Sequence, residues 1–109
     1  SSRSIENVRA NLAAAEAMYR GAGGFGMSDF VRTAAGDAAL DDLLTRAFTQ
    51  TRATADQIVL PLEAAVSDPA ARPAVEQLAT EAAALKQLLV QRLSTALGIP
   101  VGFNALDGD

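Results

Sequence analysis

The sequence predicts an all-α protein, an up-down helical bundle of three long helices plus a short connector helix. Alanine and leucine contribute 24 and 13 of the 109 residues, whereas aromatic residues make up only 5%, a composition typical of close-packed helices. Apolar residues also recur at steps of three and four in three separate stretches, as on the buried face of a helix. We expect residues 1–97 to form one helical bundle domain and residues 98–109 to form a non-helical tail packed on it.

The first long helix is predicted to begin after Ser4, whose hydroxyl can accept a hydrogen bond from a free amide of the first turn. Four glycines within residues 21–26 should end it, because glycine weakens helices and permits left-handed turns. Ser28 and Asp29 then predict the cap of the connector helix, which Gly36 should end. The buried face of the first helix is expected to carry Ile5, Val8, Leu12, Ala15 and Tyr19.

Asp37 is the predicted cap of the second long helix, and Asp41 and Asp42 follow in its first turn, where the helix dipole favours negative charge. Pro61 should kink this helix near Val59, because proline removes one backbone donor. We expect a kink rather than a break because the apolar stripe stays in phase on both sides. That stripe comprises Leu40, Leu44, Ala47, Thr51, Ala55, Ile58, Leu62 and Ala65.

The third long helix is predicted to start at Pro73 and to end at Leu97, since Gly98 and Pro100 form a strong stop signal. Its stripe comprises Val75, Leu78, Ala82, Leu85, Leu89, Leu93 and Ala96. Further apolar residues make the faces broader than two neighbouring helices would cover, which indicates a fourth helix or a partner domain. Alternatively, these residues lie beneath the connector and the tail; they are Leu43, Phe48, Val59, Leu88 and Val90.

Composition also excludes several functional classes. A net charge of −4 and a pI of about 4.6 argue against a nucleic-acid partner, which needs clustered basic residues. The absence of Cys and His excludes a disulfide framework, a thiolate or imidazole metal site and the common nucleophile–histidine sets. No apolar run approaches the roughly 20 residues of a transmembrane helix. Glu63, Glu76 and Glu81 are interpreted as solvated helix surface.

The tail carries the candidate site residues Asn104, Asp107 and Asp109. Carboxylate and carbonyl oxygens suit a hard cation such as calcium, although the further spaced ligands of an EF-hand loop are missing. The other interpretation of the two aspartates is a solvated terminal turn, and Asn104 can equally be an amide that caps a turn.

Residues 97–109, with the sequence LGIPVGFNALDGD, resemble the C-terminal end of imelysin-family proteins. That end has a Leu-Gly-hydrophobic start, a Gly-Phe-Asn centre and an Asp-Gly-Asp close. The run Ser4-Ile5-Glu6-Asn7, followed by Tyr19-Arg20-Gly21, is similar to the first helix of that family's second helical repeat. The resemblance therefore spans the chain and is most specific in the tail.

The resemblance implies a bacterial envelope protein, periplasmic or associated with the outer envelope. Its family is classed with metallopeptidases, is linked to iron and is built as two helical halves with a site between them. This chain resembles the second half, so its expected partner is the N-terminal helical half of the same protein. The family's His-x-x-Glu metal motif belongs to the first half. A metal ion is therefore expected only with residues from that half, and no catalysis is expected from this chain alone. The alternative function is a helical protein–protein interaction module.

Overall fold

The computed structural model describes residues 4–21 and 23–101, and this part of the chain is helical, without a strand. The expected all-α class is thereby confirmed. The helices are α1 (Ile5–Arg20), α2 (Met27–Arg32), α3 (Ala38–Asp56), α4 (Leu62–Ala65), α5 (Arg72–Gln87) and α6 (Ser94–Leu97), with a π-helical segment (Leu88–Leu93) between α5 and α6.

Helix α1 begins and ends where the sequence indicates. The Ser4 hydroxyl accepts a hydrogen bond from the Asn7 amide, and Gly21 closes the helix in the left-handed conformation with a φ of 88°. The following turn brings Gly21 against Gly26 so closely that a Cβ on either residue would lie 2.6–2.7 Å from backbone atoms of the other. Only glycine at both positions permits this approach.

Helix α2 differs from its prediction at both ends. Gly26 precedes it as the N-cap residue, and the Asp29 carboxylate accepts the Gly26 N–H at 2.8 Å from inside the first turn. Ser28 therefore lies within the helix and caps nothing. The helix ends at Arg32, before Gly36, because the chain turns there through a hydrogen bond from the Asp37 N–H to the Val31 carbonyl.

Helix α3 begins as predicted, with the Asp37 carboxylate accepting the Leu40 N–H at 3.0 Å. The predicted kink near Val59 is wrong, because α3 stops at Asp56 and a new helix, α4, starts after Pro61. Proline disfavours helical geometry in the residue before it as well as removing a donor, and together these effects break the helix.

Arg9 of α1 stabilises this break. Its guanidinium donates to the carbonyl oxygens of Ala55 and Ile58, and it lies 3.5 Å from the Asp56 carboxylate. The guanidinium thus binds carbonyls at the point where α3 ends, and the positive charge is favourable at the negative end of a helix dipole.

Helix α5 begins at Arg72, so Pro73 is its second residue rather than its first. Helical structure then continues to Leu97 as predicted, and Gly98 ends it with a φ of 73°. The sequence indicated one continuous α-helix here, but Leu88–Leu93 adopts the wider π geometry. Val101 folds back onto this end, where its N–H donates to the Ser94 hydroxyl at 2.8 Å.

Helix α3 lies against both α1 and α5. Arg9 of α1 meets the end of α3 and Tyr19 meets its start, so these two helices are antiparallel. The core contains most of the predicted stripe residues, including Leu12, Leu44 and Leu85, which are fully buried. Of the five residues interpreted as broadening the apolar faces, Phe48 is buried in the core and Leu88 is half-buried, whereas Leu43, Val59 and Val90 are exposed.

Candidate functional site

The predicted site residues Asn104, Asp107 and Asp109 lie outside the described residues. Their role as ligands stays a prediction. The described part of the chain ends at Val101. Within the bundle it contains two polar clusters and an apolar cleft.

The first polar cluster surrounds Asp41, whose side chain is only 8% exposed. One carboxylate oxygen accepts from the Tyr19 hydroxyl at 2.5 Å and from the Ser28 hydroxyl at 2.6 Å. The other accepts from the Arg32 guanidinium at 2.9 Å, and Arg32 also reaches Asp42 at 3.3 Å. The cluster joins α1, α2 and α3, so a single buried carboxylate connects three helices.

The electrostatics of this cluster follow from its burial and its donors. Burial raises the pKa of the Tyr19 phenol above its usual range, and the hydrogen bond to Asp41 raises it further. At Asp41, burial alone acts to raise the pKa, but the three donors and the Arg32 charge outweigh burial and hold it below the usual range. At neutral pH the cluster therefore contains an ionised carboxylate and a neutral phenol.

The second cluster is an ion-pair group on α1 and α3. Glu16 is largely buried and receives the Arg52 guanidinium at 2.5 Å and that of Arg20 at 3.3 Å. Both arginines are about half-exposed, so water screens the ion pairs and reduces their contribution to the stability of the fold. We interpret this cluster as a link between α1 and α3.

Glu81 was interpreted from the sequence as solvated surface, and the structure corrects this. Its carboxylate accepts from the Thr54 hydroxyl at 2.5 Å and from the Gln77 amide at 3.0 Å, and its side chain is half-buried between α3 and α5. Glu63 and Glu76 are exposed, as expected.

An apolar cleft of about 100 Å³ lies beside Tyr19. Four helical elements contribute to its wall, and Val101, just beyond α6, completes it. The Tyr19 ring stacks on Phe48 at a centroid distance of 5.9 Å, so an aromatic pair forms part of the wall. The lining residues are Ala15, Met18, Tyr19, Met27, Phe48, Leu89, Leu93 and Val101.

Among the described residues, no three Asp or Glu side chains lie together in a group that could hold a metal ion. The sequence contributes no His or Cys that could complete one. In the same part of the chain, no helix is long and apolar enough to cross a membrane.

Sequence analysis missed the Asp41 cluster although a signal for it was present. Starting from Asp41, the residues Leu44, Phe48, Thr51 and Ala55 follow at steps of three, four, three and four, and all five are buried. This is the regular spacing of a core-facing stripe. A carboxylate at the first position of such a stripe indicates a buried acid that needs partners.

Comparison with known families found a match over most of the chain. The family model described as Imelysin matches residues 1–91. No match was found among curated proteins or among solved structures. The matched residues include α1 to α5 and the whole Asp41 cluster. Because the match covers far more than half of the sequence, the chain belongs to the imelysin family.

Proposed function

We propose that this chain acts as the C-terminal helical half of an imelysin-like envelope protein. In this proposal it binds the N-terminal helical half of the same protein and contributes to a ligand or metal site at their junction. Membership of the imelysin family supports this function. The architecture that we propose is the up-down bundle of three long helices over residues 1–97, with residues 98–109 as a tail packed on it.

The observation that carries the proposal is the set of large apolar side chains that the bundle leaves in water. Seven described residues of this kind are exposed, and the exposed fractions reach 75% for Phe25 and 86% for Val59. We propose that some of these residues contribute to the surface that contacts the N-terminal half, because such a contact buries apolar side chains that the isolated chain leaves in water. The seven are Met18, Phe25, Leu43, Val59, Val66, Val90 and Ile99.

The chemistry of the chain favours binding over catalysis. It has no His or Cys, and the buried carboxylate of Asp41 already accepts three hydrogen bonds. A carboxylate occupied in this way is unsuited to take a proton from a substrate. We therefore propose no hydrolysis by this chain alone, and any metal ion, iron included, would need ligands from the N-terminal half.

Within the proposed site, Asn104, Asp107 and Asp109 provide the polar groups of this half. Amide and carboxylate oxygens bind hard cations and polar ligands. Asp107→Asn should therefore weaken binding by the intact two-half protein and leave its stability nearly unchanged. A periplasmic or outer-envelope location belongs to the same proposal, and cell fractionation tests it.

Association of the two halves, produced as separate polypeptides, tests the proposal directly. Sedimentation should detect a complex, and the double variant Leu43→Glu/Val90→Glu should weaken it at least about tenfold, because two charges would be buried in an apolar contact. Thr80→Glu is the matched control, since it adds the same side chain at an exposed polar position of α5. Far-UV circular dichroism shows whether each variant keeps its fold.

Two results would count against the proposal. If the halves did not associate, the same exposed residues would favour the alternative function, a helical protein–protein interaction module. If the isolated chain hydrolysed peptides in a chelator-sensitive way, free of contaminating protease, the binding role would be wrong.

A further inference from the structure

Residues 26–36, here called the α2 segment, are attached to the bundle by few groups. Within α2, Val31 is fully buried, whereas Arg32 is exposed and the other four residues are half-buried. The helix has only six residues, and a helix this short is not stable in water without tertiary contacts. The position of the α2 segment therefore depends on a small number of contacts with the longer helices.

The side-chain hydrogen bonds that join the α2 segment to α3 converge on two adjacent carboxylates. The Ser28 hydroxyl donates to Asp41 at 2.6 Å. The Arg32 guanidinium donates to Asp41 at 2.9 Å and to Asp42 at 3.3 Å. Because the Asp42 side chain is 62% exposed, water screens its contact with Arg32. The buried Asp41 carboxylate is therefore the main polar attachment of the α2 segment.

The backbone on both sides of the α2 segment can bend. Gly23 and Gly36 have φ values of 96° and 66°, and no heavy atom of the described residues lies within 4 Å of where a Cβ on either glycine would be. Glycine populates positive and negative φ with similar ease, so these two positions can absorb a change in chain direction. A backbone hydrogen bond from the Asp37 N–H to the Val31 carbonyl, at 2.9 Å, spans Gly36 and must break when the chain bends there.

We propose that the α2 segment opens away from α1 and α3 while these helices stay folded, and that the Asp41 carboxylate holds it closed. A local opening of this kind needs less free energy than global unfolding, because it exposes only part of the core. Met27 of α2 lines the apolar cleft together with Tyr19 and Phe48. Opening removes Met27 from the wall and so controls access to the aromatic pair. The inference concerns the isolated chain and is independent of the proposed function.

Labelling of a buried thiol tests the opening, because the natural sequence contains no Cys. Val31 on α2 and Thr51 on α3 are both almost completely buried, and cysteine is a small residue that can replace either of them in a core. Without denaturant, and relative to the unfolded chain, the thiol of Val31→Cys should react with a soluble disulfide reagent at least about tenfold faster than that of Thr51→Cys. Equal relative rates with the same dependence on urea would overturn the proposal.

A second substitution tests the role of the carboxylate. Asp41→Asn in the Val31→Cys background should accelerate labelling at least about tenfold, because the bonds from Ser28 and Arg32 lose their charged acceptor. Asp42→Asn is the matched control and should accelerate labelling less than about twofold, since Asp42 is exposed. If Asp41→Asn left the rate unchanged, the carboxylate would not hold the α2 segment closed, and the proposal would be wrong.

Amide hydrogen exchange on the natural chain covers the case in which a cysteine variant fails to fold. The Asp37 amide, which is bonded to the Val31 carbonyl, should exchange faster than the amides in the middle of α3 once both are corrected for their intrinsic rates. Its exchange should also change little at low urea concentration, because a local opening exposes little surface. If the two sets of amides had the same protection and the same urea dependence, the α2 segment would open only by global unfolding, which would overturn the proposal.

Discussion

Replacing Asp41 with asparagine tests whether one buried carboxylate holds α1, α2 and α3 together. The variant keeps the size of the side chain and one carbonyl oxygen, so it removes the charge with little change in packing. Tyr19 and Ser28 can still donate to that oxygen, but the new amide group faces the Arg32 guanidinium, and two donors then oppose each other.

The expected loss can be worked from these contacts. A hydrogen bond to a charged group contributes about 1.5–3 kcal/mol and a neutral one about 0.5–1.5 kcal/mol, so each bond that loses its charge costs roughly 1 kcal/mol. The Arg32 pair adds at most about 1 kcal/mol, because that arginine is half-exposed and screened by water. We therefore expect a loss of about 2–3 kcal/mol in the free energy of unfolding, or roughly 9–13 °C in Tm for a domain of this size.

Urea and thermal unfolding at pH 7, followed by circular dichroism at 222 nm, provide the measurement. Asp42→Asn is the matched control, since Asp42 is the adjacent residue, touches the same Arg32 and has a side chain that is 62% exposed. It should change the free energy of unfolding by less than about 0.5 kcal/mol. If Asp41→Asn were as mild as this control, the cluster would not hold the helices together.

Three further predictions concern other parts of the structure. Arg9→Gln should lower the free energy of unfolding by about 1–3 kcal/mol, because the carbonyls at the end of α3 lose a charged donor, whereas Arg46→Gln at an exposed position should have little effect in urea unfolding. Gly26→Ala should cost about 1–3 kcal/mol through its backbone clash, while Gly24→Ala, whose Cβ would make only an ordinary contact with the Gly21 carbonyl oxygen at 3.7 Å, should be mild in the same assay. Because the Asp41 pKa is lowered by folding, its contribution is present above the ordinary aspartate pKa of 3.8 and is lost as the pH falls below it. The difference in Tm between the natural chain and Asp41→Asn should therefore shrink in acid.

Each of these three predictions has an outcome that would contradict it. Equal losses for the two arginine variants would show that Arg9 does not stabilise the end of α3. Equal losses for the two glycine variants would mean that the turn relaxes to accept a Cβ. A difference in Tm that stayed constant from pH 7 to pH 2 would contradict the stabilised ionised form of Asp41.

The sequence was sufficient to predict the features of the fold that depend on local chemistry. The caps at Ser4 and Asp37 and the left-handed stop at Gly98 were predicted because each needs only one residue type at a helix end. The sequence predicted a kink before Pro61 instead of a break, because the apolar stripe stays in phase there. Nothing in the stripe indicates that Arg9, some 50 positions away in sequence, binds the backbone carbonyls freed at the end of α3. The π-helical segment contains neither Gly nor Pro, so no sequence signal marked it.

The Asp41 cluster shows a second kind of limit. The burial of Asp41 could be predicted, because this residue starts a regular apolar stripe. Its hydrogen-bond partners could not, because they are brought to it by tertiary packing. The sequence predicts a helix cap at Ser28, but its hydroxyl donates a hydrogen bond to Asp41, 13 positions away. Serine serves both roles equally well, and only the packing of α2 on α3 decides between them.

The family assignment and the proposed site rest on different parts of the chain. The tail from Leu97 onward carries the most specific resemblance to the imelysin family, yet the match to the family model covers residues 1–91 and so does not include it. Membership is therefore carried by the helices, independently of the tail motif. If Asp107→Asn left ligand binding intact, the site assignment would be wrong, but the family assignment would stand.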